Sequence, residues 1–442
     1  VPQNFSWERA PYSYNGEAMY RQTLSKKSTI KAYYTHQGAG MHLYQPQAGV
    51  EGAGREVNLK NQFDYGNINF KSRFNDTWLL RGGLAGTFNR DNISADSVDV
   101  ARQQNEYHAK LVLQGFLSNR LQWNSGVEYF MMEQEDEVLH IEGRNRKVER
   151  QIAAVFTEAT YHLTADLALR GGLRASTDDL NKTTYFQPRI SAAYRLHKNG
   201  DLSAAFGTFN QSQKLDQLWD QHSLSAAQAT HYILSYQYAN NGRTIRAELF
   251  QKEYQSLLYT SALGVQSNGS GYARGFDFFY RDRTSFKNLD YWLTYSFIDS
   301  KRQYAGFEEQ VQPSFAPKHN LSLVAKRWVG VLKSQIGGSW SWNDGYPYDN
   351  PNLPGAQESK TKAYSNLSLS WSYLPRPNLI IHAAVTNVLG RENVFGYNYA
   401  STPGSNGQYA SLEMGQSATH FFFVGVFLTL SDDKKANQLN NL

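Results

Sequence analysis

The chain has 442 residues and no cysteine, which excludes a disulfide scaffold and any thiolate metal site. Its net charge is +5, and its lysines and arginines are scattered singly along the sequence. A nucleic-acid binder concentrates such residues in one patch, so this distribution argues against nucleic-acid binding. Aromatic residues make up 14% of a chain whose mean hydropathy is only −0.59. This combination indicates a wall that faces lipid on one side and water on the other.

Helical membrane spans are excluded, because no stretch approaches the roughly 20 apolar residues that one requires. The most apolar run, 420–430, is much shorter. The residues after Val1 include neither the basic nor the apolar region of a signal peptide. We therefore expect that the start of the protein is processed away or lies upstream.

Apolar and polar residues alternate with a period of two, the pattern of a strand with one apolar face and one polar face. In 167–174 the leucines alternate with Arg170 and Arg174. In 366–373 leucine, tryptophan and tyrosine alternate with asparagine and serine. No segment shows a helical stripe, so the sequence predicts an all-β protein.

Short and long connections alternate along the chain. Short turns are predicted near 25–28, 75–76, 118–120, 163–165, 197–200, 240–242, 283–286, 329–331 and 374–377. Long loops are predicted near 38–54, 90–103, 135–147, 177–183, 212–227, 255–270, 303–316, 344–361 and 391–417. Outer-membrane barrels have short periplasmic turns and long extracellular loops. We therefore predict a transmembrane antiparallel β-barrel of the outer-membrane type, with about 19 strands in this chain.

The directions of the first and last strands lead to a further prediction. The first strand, after Tyr14, and the last strand, 420–430, run in the same direction, so they cannot pair antiparallel. We expect a seam between them, because a closed bacterial barrel has an even number of strands. The predicted organisation is the remainder of an extracellular loop in 1–13, the barrel in 14–430, and a polar periplasmic tail in 431–442.

Four segments resemble the barrel of TonB-dependent outer-membrane receptors, and they occur in the order found in that family. They are TEATYHLTADLALRGGLR (157–174), NGSGYARGFDFFYR (268–281), APKHNL (316–321) and AAVTNVLGRENVFGY (383–397). The family barrel has 22 strands. The resemblance therefore implies that this chain runs from the fourth strand to the last.

The resemblance implies an outer-membrane receptor that takes up a scarce solute, such as a siderophore, a corrinoid or a glycan, through a plugged barrel. Its implied partners are outer-membrane lipid and TonB with its inner-membrane motor, and no cofactor is implied. Two departures, at 209–213 and in the polar tail, motivate an alternative. This is a non-transporting scaffold in a multi-protein outer-membrane complex, with surface lipoproteins or a secretion or assembly machine. A passive porin is a third possibility.

Charged residues on the strands are expected to face the lumen. A charge on the lipid face costs about 2–4 kcal/mol at the bilayer midplane. The side chains expected to line the lumen or meet the plug are Glu128, Arg170, Arg174, Arg246 and Glu248. Those expected to face lipid are Leu332, Ile336, Leu367, Leu369 and Trp371.

Aromatic residues in the long loops are candidates for binding a ligand or a partner. Loops 212–227, 255–270, 344–361 and 391–417 combine length with rings. The alternative for each ring is the girdle that aromatic residues form at the lipid headgroups. The candidate residues are Trp219, Tyr259, Tyr346, Tyr348, Tyr397 and Tyr399.

No catalytic motif is present, so no enzyme activity is expected. The loop with Asp344, Asp349 and Asn350 lacks the ligand spacing of a calcium loop. His36 and His42 alone make a poor metal site. We therefore predict no metal and no cofactor.

Overall fold

The computed structural model describes residues 6–49, 54–95, 98–139, 145–218, 224–416, 418–431, 437 and 439. In this part of the chain no helix is long and apolar enough to cross a membrane. Among the described residues, 3-10 helices with defined bounds are Leu215–Gln217 and Gly330–Leu332. The strands are β1 Ser6–Ser25, β2 Ser28–Pro46, β3 Gly54–Arg73, β4 Trp78–Ala95, β5 Val98–Phe116, β6 Leu121–Leu139, β7 Arg146–His162, β8 Leu167–Asp178, β9 Thr183–His197, β10 Gly200–Gln211, β11 Ala227–Asn240, β12 Arg243–Ser261, β13 Gly264–Asp282, β14 Leu289–Tyr304, β15 Phe307–Val311, β16 His319–Val329, β17 Ser334–Asn343, β18 Pro347–Tyr348, β19 Ser359–Lys360, β20 Tyr364–Arg376, β21 Leu379–Thr386, β22 Val394–Tyr399, β23 Ser411–Gly415 and β24 Phe421–Leu428.

The long strands form one continuous antiparallel wall in which each strand pairs with the next along the chain. The pairing runs from β1–β2 through β13–β14 and continues through β16, β17, β20, β21 and β24. Short strands β15, β18, β19, β22 and β23 lie in the connections. Among the described residues the wall therefore has 19 strands, and the prediction of an antiparallel barrel wall of about that number is confirmed.

The register separates the two faces of the wall. Leu323 pairs with Trp340, and Trp340 pairs with Leu367, so these side chains share one face. Val324 pairs with Ser339, and Ser339 pairs with Ser368 on the opposite face. We call the first the apolar face and the second the polar face. Because side chains alternate along a strand, the register extends both faces across the wall.

Short turns close one end of the wall, which we call the short-turn rim, and the longer connections occupy the long-loop rim. The nine short turns lie within a few residues of their predicted positions, and Asn241-Gly242 shows why they form. Asn241 has φ 43° and Gly242 has φ 80°, the left-handed pair that a two-residue hairpin turn requires. The short-turn rim is thus encoded by local turn chemistry.

The long-loop rim differs from the sequence prediction. Residues 255–270 are not a loop, because β12 extends to Ser261 and β13 starts at Gly264. In 38–54 the connection is shorter than predicted, because β2 extends to Pro46 and β3 starts at Gly54. These extensions mix glycine, polar and apolar residues in irregular order, so they lack the alternation by which strands are recognised in a sequence.

The wall has two edge strands, β1 and β24. Among the described residues no ladder joins them: β1 pairs with β2, and β24 pairs with β21. The expected seam is therefore observed. The start of β1 is a correction, because the strand begins at Ser6, and 6–13 run beside β2 instead of forming an extracellular loop.

Aromatic rings mark a band on the apolar face beside the short-turn rim. Trp78 and Trp123 meet edge to face with ring centroids 6.0 Å apart. Trp371 stacks on Tyr373 at 5.9 Å. Rings of this kind settle at the headgroup level of a bilayer, where an apolar body and a polar tip are both satisfied. The band therefore gives the height at which one lipid interface meets the wall.

Candidate ligand-recognition surface

Two short hairpins build a surface on the long-loop rim. One is β18–β19, between β17 and β20, and the other is β22–β23, between β21 and β24. The first is tightened where the Tyr346 N–H donates to Thr361 Oγ1 at 2.9 Å. Gly345 permits this closure, since it has φ 99° and a Cβ there would lie 2.3 Å from the Thr361 carbonyl oxygen.

The hairpins bring aromatic residues together, and we call Tyr346, Tyr348, Phe395, Tyr397 and Tyr399 the tyrosine cluster. The rings of Tyr348 and Tyr397 lie 4.6 Å apart, and those of Tyr346 and Phe395 lie 5.8 Å apart. Tyr399 lies beside Tyr348. All five side chains are half-buried, so each packs within the cluster and also presents surface to a solute.

The phenols of Tyr346, Tyr397 and Tyr399 remain neutral at physiological pH, because the pKa of each is raised. Burial raises the pKa of Tyr346 above its usual value. Burial, followed by the Glu413 charge, raises the pKa of Tyr397, and burial and neighbouring tyrosines raise that of Tyr399. The cluster therefore offers ring faces and neutral hydroxyl groups instead of phenolate anions, which suits stacking and hydrogen bonding.

Side-chain amides and close packing lock the surface together. Asn352 Nδ2 donates to the Tyr409 carbonyl oxygen at 2.9 Å, and the Tyr409 N–H donates to Asn352 Oδ1 at 2.7 Å. Gly49, in the β2–β3 connection, approaches so closely that an added Cβ would lie 2.8 Å from Ala400 Cβ. The β2–β3 connection near one edge of the wall thus meets the β22–β23 connection near the other.

Asp344 anchors the first hairpin to the wall. Its Oδ1 accepts from the His319 N–H at 3.0 Å, and its other oxygen pairs with Lys360. Burial would raise the pKa of this carboxyl, but the hydrogen bonds from the His319 N–H and Lys360 outweigh it, so the pKa is lowered. Asp344 therefore stays ionised at neutral pH and acts as a structural anchor.

Asn387 holds the base of the second hairpin, and only 1% of it is exposed. Its Nδ2 donates to the Arg391 carbonyl at 2.8 Å and to the Thr419 carbonyl at 2.7 Å. Its φ of 51° is left-handed, a region that asparagine tolerates better than most residues. The side chain thus ties the end of β21 to the start of β24.

We expect Asn387→Ala to lower the free energy of unfolding by about 3 kcal/mol, because it leaves buried carbonyl groups unpaired and because alanine tolerates a positive φ less well than asparagine does. Asn387→Gly is the matched variant, since it removes the amide but accepts the backbone angle. It should recover about 1 kcal/mol of that loss. Urea unfolding of the reconstituted chain measures both. Equal stability of the Ala variant and the unmodified chain would contradict this role.

The other two candidate rings do not join the cluster in the described residues. Tyr259 lies on the β12–β13 hairpin, where it pairs with Gln266 and forms a bridge with Ala305. Trp219 lies outside the described residues. The structure therefore brings together Tyr346, Tyr348, Tyr397 and Tyr399, and places Tyr259 on a separate hairpin.

The five charged candidates all lie on the polar face, by the same register that puts Leu369 on the apolar face. Glu128 is the centre of the largest group of ion pairs among these candidates, and only 7% of its side chain is exposed. It accepts from Arg174 at 2.5 Å, and Lys110 and His108 lie 3.1 and 3.0 Å away. Arg246 pairs with Glu248 at 2.5 Å, and Arg170 lies 3.6 Å from Glu158.

A strap folds over this polar face between β10 and β11; we define it as residues 212–218 and 224–226. Beneath it, Arg150 Nε lies 3.3 Å from Asp178 Oδ2, and both side chains are almost fully buried. Arg150 also donates to the Gln213 carbonyl oxygen at 2.5 Å, and Ser212 donates to Asp178 at 2.7 Å. The strap is therefore hydrogen-bonded to both members of a buried ion pair of the wall.

A small apolar core also holds the strap against the wall. Leu218 is completely buried and packs with Val148 and Leu224. Sequence reasoning singled out neither Arg150 nor Asp178, because an isolated charge near a strand end resembles any solvated residue. The departure from the family pattern at 209–213 was the one signal that marked this region.

No group of three or more His, Cys, Asp or Glu side chains in the described ranges is arranged to hold a metal ion. A cavity of about 700 Å³ lies beside the strap, lined by Gln134, Arg150, Arg174, Gln187 and Gln213 among others. Its lining consists mostly of amide and charged groups. The arrangement can bind solutes or other protein segments through hydrogen bonds.

Comparisons with known proteins agree with this architecture. Over 95% of its length the chain is similar to the ferric-catecholate import receptor Fiu from Escherichia coli K12, covering 75% of that chain with a TM-score of 0.71 and 11% identity. It is similar to the ferric yersiniabactin uptake receptor FyuA from Yersinia pestis, at 12% identity and a TM-score of 0.73, with 94% and 70% of the chains covered. It is also similar to the copper transporter OprC, at 12% identity and a TM-score of 0.73, with 95% and 72% covered. At such identities these likenesses show the fold alone.

No curated protein matches the sequence. The family model described as TonB dependent receptor-like, beta-barrel, matches residues 2–388, which is most of the chain. The match spans the wall strands from β1 to β21, and the order of strands found here is that of an outer-membrane barrel. The chain therefore belongs to the TonB-dependent receptor family and forms the β-barrel of an outer-membrane receptor.

Proposed function

We propose that the protein imports a scarce solute across the outer membrane in a TonB-dependent manner. The observation that carries this proposal is the family match over residues 2–388. Solved proteins of the same fold are named for ferric-catecholate import, ferric yersiniabactin uptake and copper transport. The polar face of the wall carries charged and amide side chains, which suit the lining of a path for a polar solute.

The proposed orientation follows from the chemistry of the two faces. The apolar face meets lipid, and the polar face, with Glu128, Arg174 and the strap, lines the interior, because unpaired charge in hydrocarbon is costly. The short-turn rim faces the periplasm and the long-loop rim faces outward. The tail 431–442, which the sequence predicts to be periplasmic, lies mostly outside the described residues.

The tyrosine cluster is the proposed point of first contact with the solute. Its position on the long-loop rim exposes it to the medium, and two hairpins hold its rings in fixed positions. Rigid aromatic side chains give a large contact area at low entropic cost. Neutral hydroxyl groups add directional hydrogen bonds. This combination suits a hydroxyl-rich or ring-containing solute.

The proposal is tested by uptake in cells that lack their own receptors and express the complete protein. Radiolabelled ferric siderophores, cobalamin and oligosaccharides are supplied in turn, with and without an intact TonB. Accumulation of one solute that disappears without TonB is the expected result. Flux that persists without TonB indicates a porin. Absence of uptake together with co-purifying surface lipoproteins indicates a scaffold.

We expect Tyr348→Ala or Tyr397→Ala to weaken binding of the imported solute about tenfold, since central aromatic contacts carry a large share of binding energy. Tyr161→Ala is the matched control, because this ring is exposed on the apolar face, away from the long-loop rim. Equilibrium binding to purified receptor measures the effect. If the control weakens binding as much as the cluster variants, the cluster is not the contact surface.

A further inference from the structure

Positive charge is concentrated in the turns of the short-turn rim. Within the described residues these turns carry seven cations and two acids, and all seven cationic residues are exposed. None of the seven side chains has an ion-pair partner in the part of the chain that the structure describes. The cations are Lys26, Lys27, Arg120, Lys198, Arg283, Lys287 and Lys333, and the acids are Asp76 and Asp166.

The long-loop rim shows the opposite balance. Its described connections between wall strands carry six cations and nine acids. The cations are Lys182, Lys214, Lys318, Lys360, Lys362 and Arg391. The acids are Asp179, Asp216, Glu308, Glu309, Asp344, Asp349, Glu358, Glu392 and Glu413. The excess of positive charge is therefore a property of one end of the wall.

Large apolar side chains are exposed in the same short turns. Phe74, Leu117, Leu163 and Phe286 are exposed, and Val331 is 96% exposed. They lie beside the aromatic band on the apolar face. An apolar side chain next to a lysine or arginine is the composition of segments that sit at a lipid interface, with the apolar part in the acyl boundary and the charge at the headgroups.

We propose that the short-turn rim binds the anionic phospholipid headgroups of the membrane leaflet that faces the periplasm. The lysine and arginine side chains would pair with phosphate oxygens, and the exposed apolar residues would enter the acyl boundary. The cations occupy five separate turns from β1–β2 to β16–β17. A charge distributed around the rim fits a continuous lipid surface, whereas a protein partner would meet a compact patch.

The experiment measures the unfolding rate of the complete chain reconstituted into vesicles, read from heat-modifiable gel mobility. Vesicles of phosphatidylcholine alone are compared with vesicles that also contain phosphatidylglycerol. We expect unfolding to be at least about tenfold slower with phosphatidylglycerol, because several basic residues act at the surface together. High salt should abolish most of this difference, since it screens charge beyond a few ångströms.

Two triple variants with the same change in charge identify the rim responsible. Lys26→Gln with Lys198→Gln and Lys333→Gln should lose most of the phosphatidylglycerol effect. Lys182→Gln with Lys318→Gln and Lys362→Gln, on the long-loop rim, should keep it. Equal unfolding rates of the unmodified chain in both vesicles, or equal losses in the two triple variants, would overturn the proposal. If the first triple variant does not fold, the effect of high salt on the unmodified chain still tests the proposal.

Discussion

Asp178→Asn is expected to lower the free energy of unfolding by about 3–5 kcal/mol, because removing one partner of a buried ion pair leaves the other charge uncompensated. Only 2% of the Asp178 side chain and 4% of the Arg150 side chain are exposed. The same substitution weakens the contact from Ser212. The strap should therefore separate from the wall as stability falls. Urea unfolding of the reconstituted barrel, followed by tryptophan fluorescence, measures the loss.

The double variant Arg150→Met with Asp178→Leu separates the buried charge from the rest of the contact. It removes both charges and fills similar volume, and such replacements are often neutral. We expect it to recover most of the stability lost in the single variant, although the Gln213 carbonyl loses its donor. A single variant as stable as the unmodified chain would show that the pair does not fasten the strap. If the double variant is no more stable than Asp178→Asn, the loss of stability arises from packing and not from the uncompensated charge.

Leu369→Arg is expected to cost about 2–4 kcal/mol of folding stability in a bilayer, because it places a charge on the lipid-facing side of the wall. Leu369 lies near the middle of β20 and is 44% exposed on the apolar face. Its row includes Gly338 on β17 and Val385 on β21. Neither of these neighbours has a polar side chain that could pair with a guanidinium group.

The matched control is Ser368→Arg, one residue away on the polar face. Ser368 donates to Asn366 Oδ1 at 2.9 Å, so its surroundings are already polar. We expect this variant to change stability by less than about 1 kcal/mol. Unfolding in phosphatidylcholine vesicles compares the two variants at the same height. Similar costs on both faces would mean that the faces are not divided between lipid and water.

The membrane-spanning part of the fold could be predicted from the sequence because lipid imposes a strict alternation. Leu367, Leu369 and Trp371 were assigned to one face from the pattern alone, and the register places them there. Turn chemistry such as Asn241-Gly242 fixed the short turns in the same way. Strand parity predicted the seam between β1 and β24.

The long-loop rim could not be predicted as well, since water contacts both faces of a strand above the lipid. Residues 255–270 were therefore expected to form a loop, although they continue β12 and β13. The tyrosines at 346, 348, 397 and 399 were chosen for loop position and ring chemistry, and the structure places them in one cluster. The buried groups that hold this rim, Asn387 and the Arg150–Asp178 pair, depend on contacts between distant segments, which no local pattern encodes.

We propose that the wall faces lipid on its apolar side and an aqueous interior on its polar side, and spin labels on β20 test this directly. The chain has no cysteine, so single cysteines carry a nitroxide label without background. Labels at 366, 367, 368, 369, 370 and 371 are compared in vesicles by their relaxation with oxygen, which concentrates in lipid, and with a water-soluble nickel chelate. We expect strict alternation, with 367, 369 and 371 accessible to oxygen and 366, 368 and 370 accessible to the chelate. Equal accessibility of neighbouring positions, or the reverse assignment, would contradict it.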